Sequence, residues 1–188
     1  MEIVIANSKH IVYAKSICSC IDESAKMRGT GIARRTPGYI IKKIESGNAV
    51  IAIENNEFAG FCYIEVWGHG KYVAHSGLIV SPQHRGKGLA KIIKKKVFDL
   101  SKRKFPKAKI FGITTGKAVM RINFELGYKP VSFSELTDDP EFWMGCQTCK
   151  NYDILTRTER SMCLCTGMLY DCLLYTSPSP RDLSTSRM

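Results

Sequence analysis

The chain has 188 residues, 44% of them hydrophobic, with a formal net charge of +11; that length suits one domain with a real core. No apolar run approaches the ~20 residues of a membrane helix. The start carries no secretory pattern, so a cytoplasmic location is expected, and the eight cysteines read as thiols or metal ligands rather than disulfides.

Glu2 to Ala6 reads as an edge strand. Ser8 is a candidate cap for a helix to about Met27, with Ile11, Ala14, Ile17, Cys18 and Ile21 at helical spacing. A basic loop with glycines follows, Arg28 to Arg35, and then Thr36-Pro37, a cap with proline at the first helical position. That second helix runs to about Glu45. Ala49 to Ile53, Phe58 to Trp67 and Tyr72 to Val80 read as strands, the last two joined as a hairpin by Gly68-His69-Gly70-Lys71. A long basic helix spans roughly Leu89 to Lys104. Lys109 to Thr114 is a strand, Ala118 to Leu126 a helix, and Pro130 to Phe133 begins a last strand. The order predicts an α/β (α+β) mixed sheet with helices on both faces.

Between the Tyr72–Val80 strand and the basic helix lies Ser81-Pro82-Gln83-His84-Arg85-Gly86-Lys87-Gly88-Leu89-Ala90. A glycine-rich strand-to-helix turn aims backbone N–H groups and the positive end of the helix dipole at one point. Gly86 and Gly88 allow positive φ and close approach; Arg85, Lys87 and Lys91 add charge. A phosphate or pyrophosphate is the expected ligand. The Walker spacing is missing, and Lys91 stands where a dinucleotide fingerprint needs its third glycine. The basic charge concentrates beside this loop with few aromatics between, which favours an anionic cofactor over nucleic acid.

Gln83-x-x-Gly86-x-Gly88 after Leu78-x-Val80 resembles the coenzyme A loop of the GNAT acyltransferases. The resemblance covers roughly residues 1–136. Gly31-Ile32-Ala33-Arg34-Arg35, Phe58-Ala59-Gly60-Phe61, Thr114-Thr115 and Phe124-Glu125-Leu126-Gly127-Tyr128 look most like the acetyltransferase domain of N-acetylglutamate synthases. The resemblance implies a GNAT fold with a mostly antiparallel sheet, acetyl-CoA as cosubstrate, and direct acetyl transfer to the α-amine of an amino acid, glutamate first, in arginine biosynthesis. It implies that Leu78, Val80, Gln83, Arg85, Gly86, Lys87, Gly88, Leu89 and Ala90 hold coenzyme A. Arg34 and Arg35 become candidates for the acceptor's carboxylates, since guanidinium forks bind them bidentately; Thr114 and Thr115 can add hydroxyl contacts. Lys94, Lys95 and Lys104 read chiefly as a solvated helix face, with the cofactor's terminal phosphate as alternative partner. Two departures stand out: the family's usual strand carboxylate is replaced by Ala74, and its frequent tyrosine by Asn123. Competing readings are a GNAT enzyme for a protein amine or polyamine, and a coenzyme A-binding module without turnover. A homodimer is left open.

The hairpin offers a substitute base. If Trp67 pairs with Tyr72, Glu65 lies across from Ala74 on the same face, with Cβ atoms about 5 Å apart. A one-residue slip would turn it away. His75, with an ordinary pKa of about 6.5, is the second candidate and points to the opposite face.

Residues 137–171 form a cysteine-containing extension. Cys146-x-x-Cys149 and Cys163-x-Cys165 offer four thiolates, for which a structural zinc is the expectation; packed thiols are the competing reading. Residues 172–188 resemble a translated sequencing-library adapter and are set aside as non-native.

Overall fold

The computed structural model describes residues 1–28 and 35–172. Arg34 and the glycines before it, and the adapter-like residues from 173 on, lie outside the described residues.

Seven strands form one sheet in the order β1-β2-β3-β4-β5-β7-β6. They are β1 (Glu2–Ile5), β2 (Ala49–Glu54), β3 (Glu57–Trp67), β4 (Tyr72–Val80), β5 (Lys109–Thr114), β6 (Lys129–Val131) and β7 (Thr166–Tyr170). All neighbours are antiparallel except β4 and β5. The helices are α1 (Ala14–Arg28), α2 (Pro37–Glu45), α3 (Leu89–Lys104), α4 (Lys117–Glu125), α5 (Pro140–Met144) and α6 (Tyr152–Arg157). One face carries α1 and α2 over Ile51, Phe61 and Tyr63. The other carries α3, with Ile93, Val97 and Phe98 against Cys62, Ile64 and Val73.

Local signals explain most boundaries. Thr36 accepts the Tyr39 N–H and Pro37 opens α2, as expected. The first helix starts differently. Asn7, not Ser8, is the cap, sharing a capping box with His10. A 3₁₀ segment, Ser8–Tyr13, then precedes α1. The chain after residue 132 also departs from a simple last strand. It contributes α5, α6 and then β7, which enters the sheet between β5 and β6.

Two irregularities open the sheet where a ligand can enter. β4 pairs with β5 at Tyr72, Val73 and Ala74, and the pairing stops there. Beyond that point β5 continues alongside β7, and β4 follows β3 alone. The β3–β4 register also shifts: Tyr63 faces Ser76 but Phe61 faces Ile79, so β4 holds one extra residue. Gly77 sits in that bulge at φ +63°, and a Cβ there would stand 2.4 Å from the Tyr63 ring. No other residue type fits both the backbone angle and the ring beneath it.

Candidate active site

Where β4 and β5 part, a cleft of about 390 Å³ opens, within the range of small-molecule sites. The hairpin register across it matches the expectation: Trp67 pairs with Tyr72 and Glu65 with Ala74. Glu65 therefore presents its carboxylate to the cleft beside Ala74, and is 6% exposed.

The Glu65 carboxylate has an ordered surround. Tyr39 of α2 donates its hydroxyl to Oε1, and Ser76 of β4 donates to Oε2 at 2.5 Å. The Arg35 guanidinium lies 3.9 Å from Oε2. Arg35 also donates from Nε to the Tyr63 hydroxyl at 2.5 Å and stands over the Tyr39 ring. Burial and the Glu65 charge push the Tyr39 and Tyr63 hydroxyls well above the usual phenol range, so both stay protonated. Arg35 is thus in the cleft as expected, but its guanidinium is already turned onto Tyr63 and Glu65. A carboxyl group offers several lone pairs, so with one donor on each oxygen Glu65 keeps further acceptor sites.

His75 is held the other way. The Ser101 hydroxyl donates to the Val97 carbonyl, so its lone pair accepts from His75 Nε2 at 2.8 Å. His75 Nδ1 then accepts from the Tyr128 hydroxyl at 3.0 Å. Burial, and secondarily the Lys94 charge, push the imidazole well below its usual pKa. Both ring nitrogens are engaged on the α3 side, and the neutral ring presents no lone pair to the cleft.

The glycine turn has an open backbone geometry. Gly86 and Gly88 take φ of +78° and +77° with nothing within 4 Å of where a Cβ would be. None of the N–H groups from Gly86 through Ala90 donates to a backbone carbonyl among the described residues. Gln83, Lys87 and both glycines are exposed, while Leu89 anchors α3 in the core. Behind the loop, Ser81 bonds His84 at 2.7 Å, and His84 bonds Glu54 at 2.9 Å. Arg85 is engaged at its amide and its side chain: its N–H donates to the Pro82 carbonyl at 3.3 Å. It donates from Nε to the Val80 carbonyl at 3.0 Å and from Nη2 to Ser24 at 3.0 Å. It ties the loop to the strand end and to α1. Leu78 borders the cleft just past the bulge.

Thr114 and Thr115 close the β5 side of the cleft, and Thr114 accepts the Gly116 N–H at 3.0 Å. Three more residues line the cleft: Trp67, which the sequence does not single out, Asn123, which it marks only as a departure from the family pattern, and Lys94. Asn123 is 1% exposed with its Oδ1 unpartnered, and Trp67 has an unpartnered Nε1–H. Lys94, read as solvated, is 2% exposed and borders the cleft from α3. Helical spacing is the signal that finds it: Lys94 shares the stripe of Ile93, Val97, Phe98 and Ser101.

The opposite wall comes from the segment between β6 and β7. Phe142, Tyr152 and Leu155 border the cleft, and so do Cys146, Cys149, Cys163 and Cys165. The expected structural zinc finds no support. Among the described residues no group of three or more His, Cys, Asp or Glu is arranged to hold a metal ion. Burial, then neighbouring thiols, push Cys146 up to about 11 and Cys165 up to about 12. Both side chains pack against the cluster of Phe133, Trp143 and Leu155. Cys18 and Cys20 are buried in the core, as expected. Among the described residues no helix is long and apolar enough to cross a membrane.

Solved structures share the fold at low identity. An N-acetylglutamate synthase from Neisseria gonorrhoeae, complexed with coenzyme A and N-acetyl-glutamate, matches at TM-score 0.64 and 16% identity. The match covers 91% of this chain and 35% of that one, so the chain spans about a third of that enzyme's length. A putative acetyltransferase, yncA from Salmonella typhimurium with acetyl-CoA, matches at TM-score 0.62 and 17% identity, covering 96% and 98%. A phosphinothricin acetyltransferase from Sinorhizobium meliloti in complex with AcCoA matches at TM-score 0.62 and 13% identity, covering 95% and 93%. No curated protein sequence matches the chain. The family model described as Acetyltransferase (GNAT) family matches residues 23–118, just over half of the 188. Strand, glycine turn, parted sheet and family match agree, and the chain belongs to the GNAT acetyltransferase family.

Proposed function

We propose that the protein transfers an acetyl group from acetyl-CoA to the α-amine of a small amino acid, with Glu65 as general base. The observation that carries this reading is the Glu65 carboxylate, buried in the parting of β4 and β5 and held by Tyr39 and Ser76. An acyl transfer of this kind needs alignment, a proton acceptor for the amine and a stabilised leaving group. The free amides from Gly86 to Ala90 take the pyrophosphate, and Val80 and Leu78 flank the pantetheine arm. Donors for the acceptor's carboxylate are the Trp67 Nε1–H and the Thr114 and Thr115 hydroxyls, with Arg35 supplying charge. Arg34 is assigned to the same task from its sequence position alone.

Glutamate is the acceptor we favour from the sequence resemblance, and one neighbour was solved with coenzyme A and N-acetyl-glutamate. A second reading is an acceptor with an apolar side chain. It is favoured by the Phe142, Tyr152 and Leu155 wall and by the commitment of Arg35 to Glu65 and Tyr63. Both readings are tested by coenzyme A release from acetyl-CoA with glutamate, methionine, leucine and spermidine offered in turn. Turnover with an amino acid and none with spermidine supports the proposal; the preferred amino acid chooses between the readings.

A further inference from the structure

Acyl transfer leaves a thiolate behind, and the proposed base does nothing for it. The cleft holds few groups able to help. The Tyr39 hydroxyl is donated to Glu65, and Tyr63 accepts from Arg35. Asn123 has no acidic proton, and the cleft thiols Cys146 and Cys165 are weaker acids than coenzyme A's own thiol. Lys94 remains. Its ammonium borders the cleft from the second turn of α3, 2% exposed, and among the described residues it makes no hydrogen bond and no ion pair. It stands over the Tyr128 ring, 5.3 Å from the centroid. A buried cation without a counter-charge is costly unless something anionic arrives.

We propose that Lys94 is the catalytic acid that receives the departing sulfur: its ammonium stabilises the coenzyme A thiolate and protonates it. The inference rests on the acyl-transfer reading of the cleft. The amine nitrogen attacks the thioester carbonyl carbon, the C–N bond forms, and Glu65 takes the amine proton. As the tetrahedral intermediate collapses, the C–S bond breaks with its electron pair on sulfur, and that sulfur takes a proton from Lys94 Nζ. The products are the amide and the free thiol. Glu65 is left protonated and Lys94 neutral; exchange with solvent restores both.

The electrostatics suit the task. Burial pulls Lys94 down to about 8, close to a thiol's ordinary value of about 8.5, so the proton moves between nearly matched groups. The titratable groups facing Lys94 are Cys62 from β3, His75 from β4 and Tyr128 after α4; β2 presents only Val50 and Ala52 to that layer. Burial pushes Cys62 up to about 11 and Tyr128 well above its usual range, and His75 well down. Of these, Lys94 alone changes charge near pH 8.

The test reads the sulfur directly and needs no acceptor. The thiol of enzyme-bound coenzyme A is titrated by its ultraviolet thiolate absorbance, with desulfo-coenzyme A on the same protein as the blank. In the wild type the bound thiol should ionise about one pH unit or more below the free thiol; in Lys94→Met that shift should vanish. Lys94→Arg keeps a charge without a transferable proton, so it should keep much of the shift. Once an acceptor is in hand, both variants should lose about a hundredfold in kcat, together with the fall of kcat above pH 8. The dissociation constant of desulfo-coenzyme A should stay within about twofold. An unchanged thiol titration in Lys94→Met overturns the proposal. So does a desulfo-coenzyme A affinity that falls with the thiol shift intact, since that would make Lys94 a ligand of the pantetheine arm. A wild type that binds no coenzyme A would contradict the cofactor loop instead, a separable result.

Discussion

At the scale of the residue, the site turns on one exchange between neighbouring strands. Ala74 leaves its strand without a carboxylate, and Glu65 supplies one from directly across the ladder. Glu65→Gln keeps the shape and accepts from one of the Tyr39 and Ser76 hydroxyls, the other turning to accept from the amide NH2, but removes the proposed proton acceptor. Its kcat should fall by about 10²- to 10³-fold, with coenzyme A affinity unchanged in a binding titration; wild-type turnover at every pH would remove Glu65 from the mechanism. His75→Ala should chiefly cost stability, because His75 links Tyr128 to Ser101 under α3. Glu65 was legible in the sequence because four hairpin residues fix which residues face each other. The engagement of Arg35 with Tyr63 and Glu65 was not, since sequence spacing does not say where a long side chain turns. The same blindness hid Arg85, whose guanidinium folds back onto Val80 and Ser24.

At the scale of the element, β4 and α3 do the positioning. Gly77→Ala would press a methyl group onto Tyr63 at positive φ. It should cost about 3 kcal/mol, read as a lower denaturation midpoint at constant m, and should weaken coenzyme A binding as the bulge shifts. Gly88→Val differs. Nothing crowds that position, so the backbone strain should cost only about 1–2 kcal/mol, while the side chain blocks the cradle and coenzyme A binding is lost. Lys94 gives a pH signature. Its pKa falls from 10.5 in the unfolded chain to about 8 in the fold. Below pH 8 the folded state carries the full cost of the buried charge. Between 8 and 10.5 the unfolded chain binds more protons, so stability rises with pH. Lys94→Met should therefore be the more stable protein at pH 7, by about 3 kcal/mol. That advantage should shrink towards pH 10 in parallel urea titrations. The glycine turn and the long helix were readable from spacing and charge. Lys94 was not, because a lysine-rich helix reads as solvated unless each lysine is set against the apolar stripe.

At the scale of the whole molecule, the sheet is completed from far along the chain. β7 lies between β5 and β6 and carries Met168 and Leu169 into two different core clusters. Cysteines dominate the approach to Thr166–Tyr170, and a metal-bearing extension was the more conspicuous reading of that composition. The short buried strand beyond them has too few residues to declare a period. The same segment supplies α5 and α6, which wall the cleft opposite Glu65 and so bear on the acceptor. The most direct test of acyl transfer to a small amino acid is coenzyme A thiol release from acetyl-CoA against amino acids and polyamines, with the product identified by mass. An N-acetylated amino acid should form with the wild type and be lost in Glu65→Gln. Acetylated spermidine with no acetylated amino acid would contradict it.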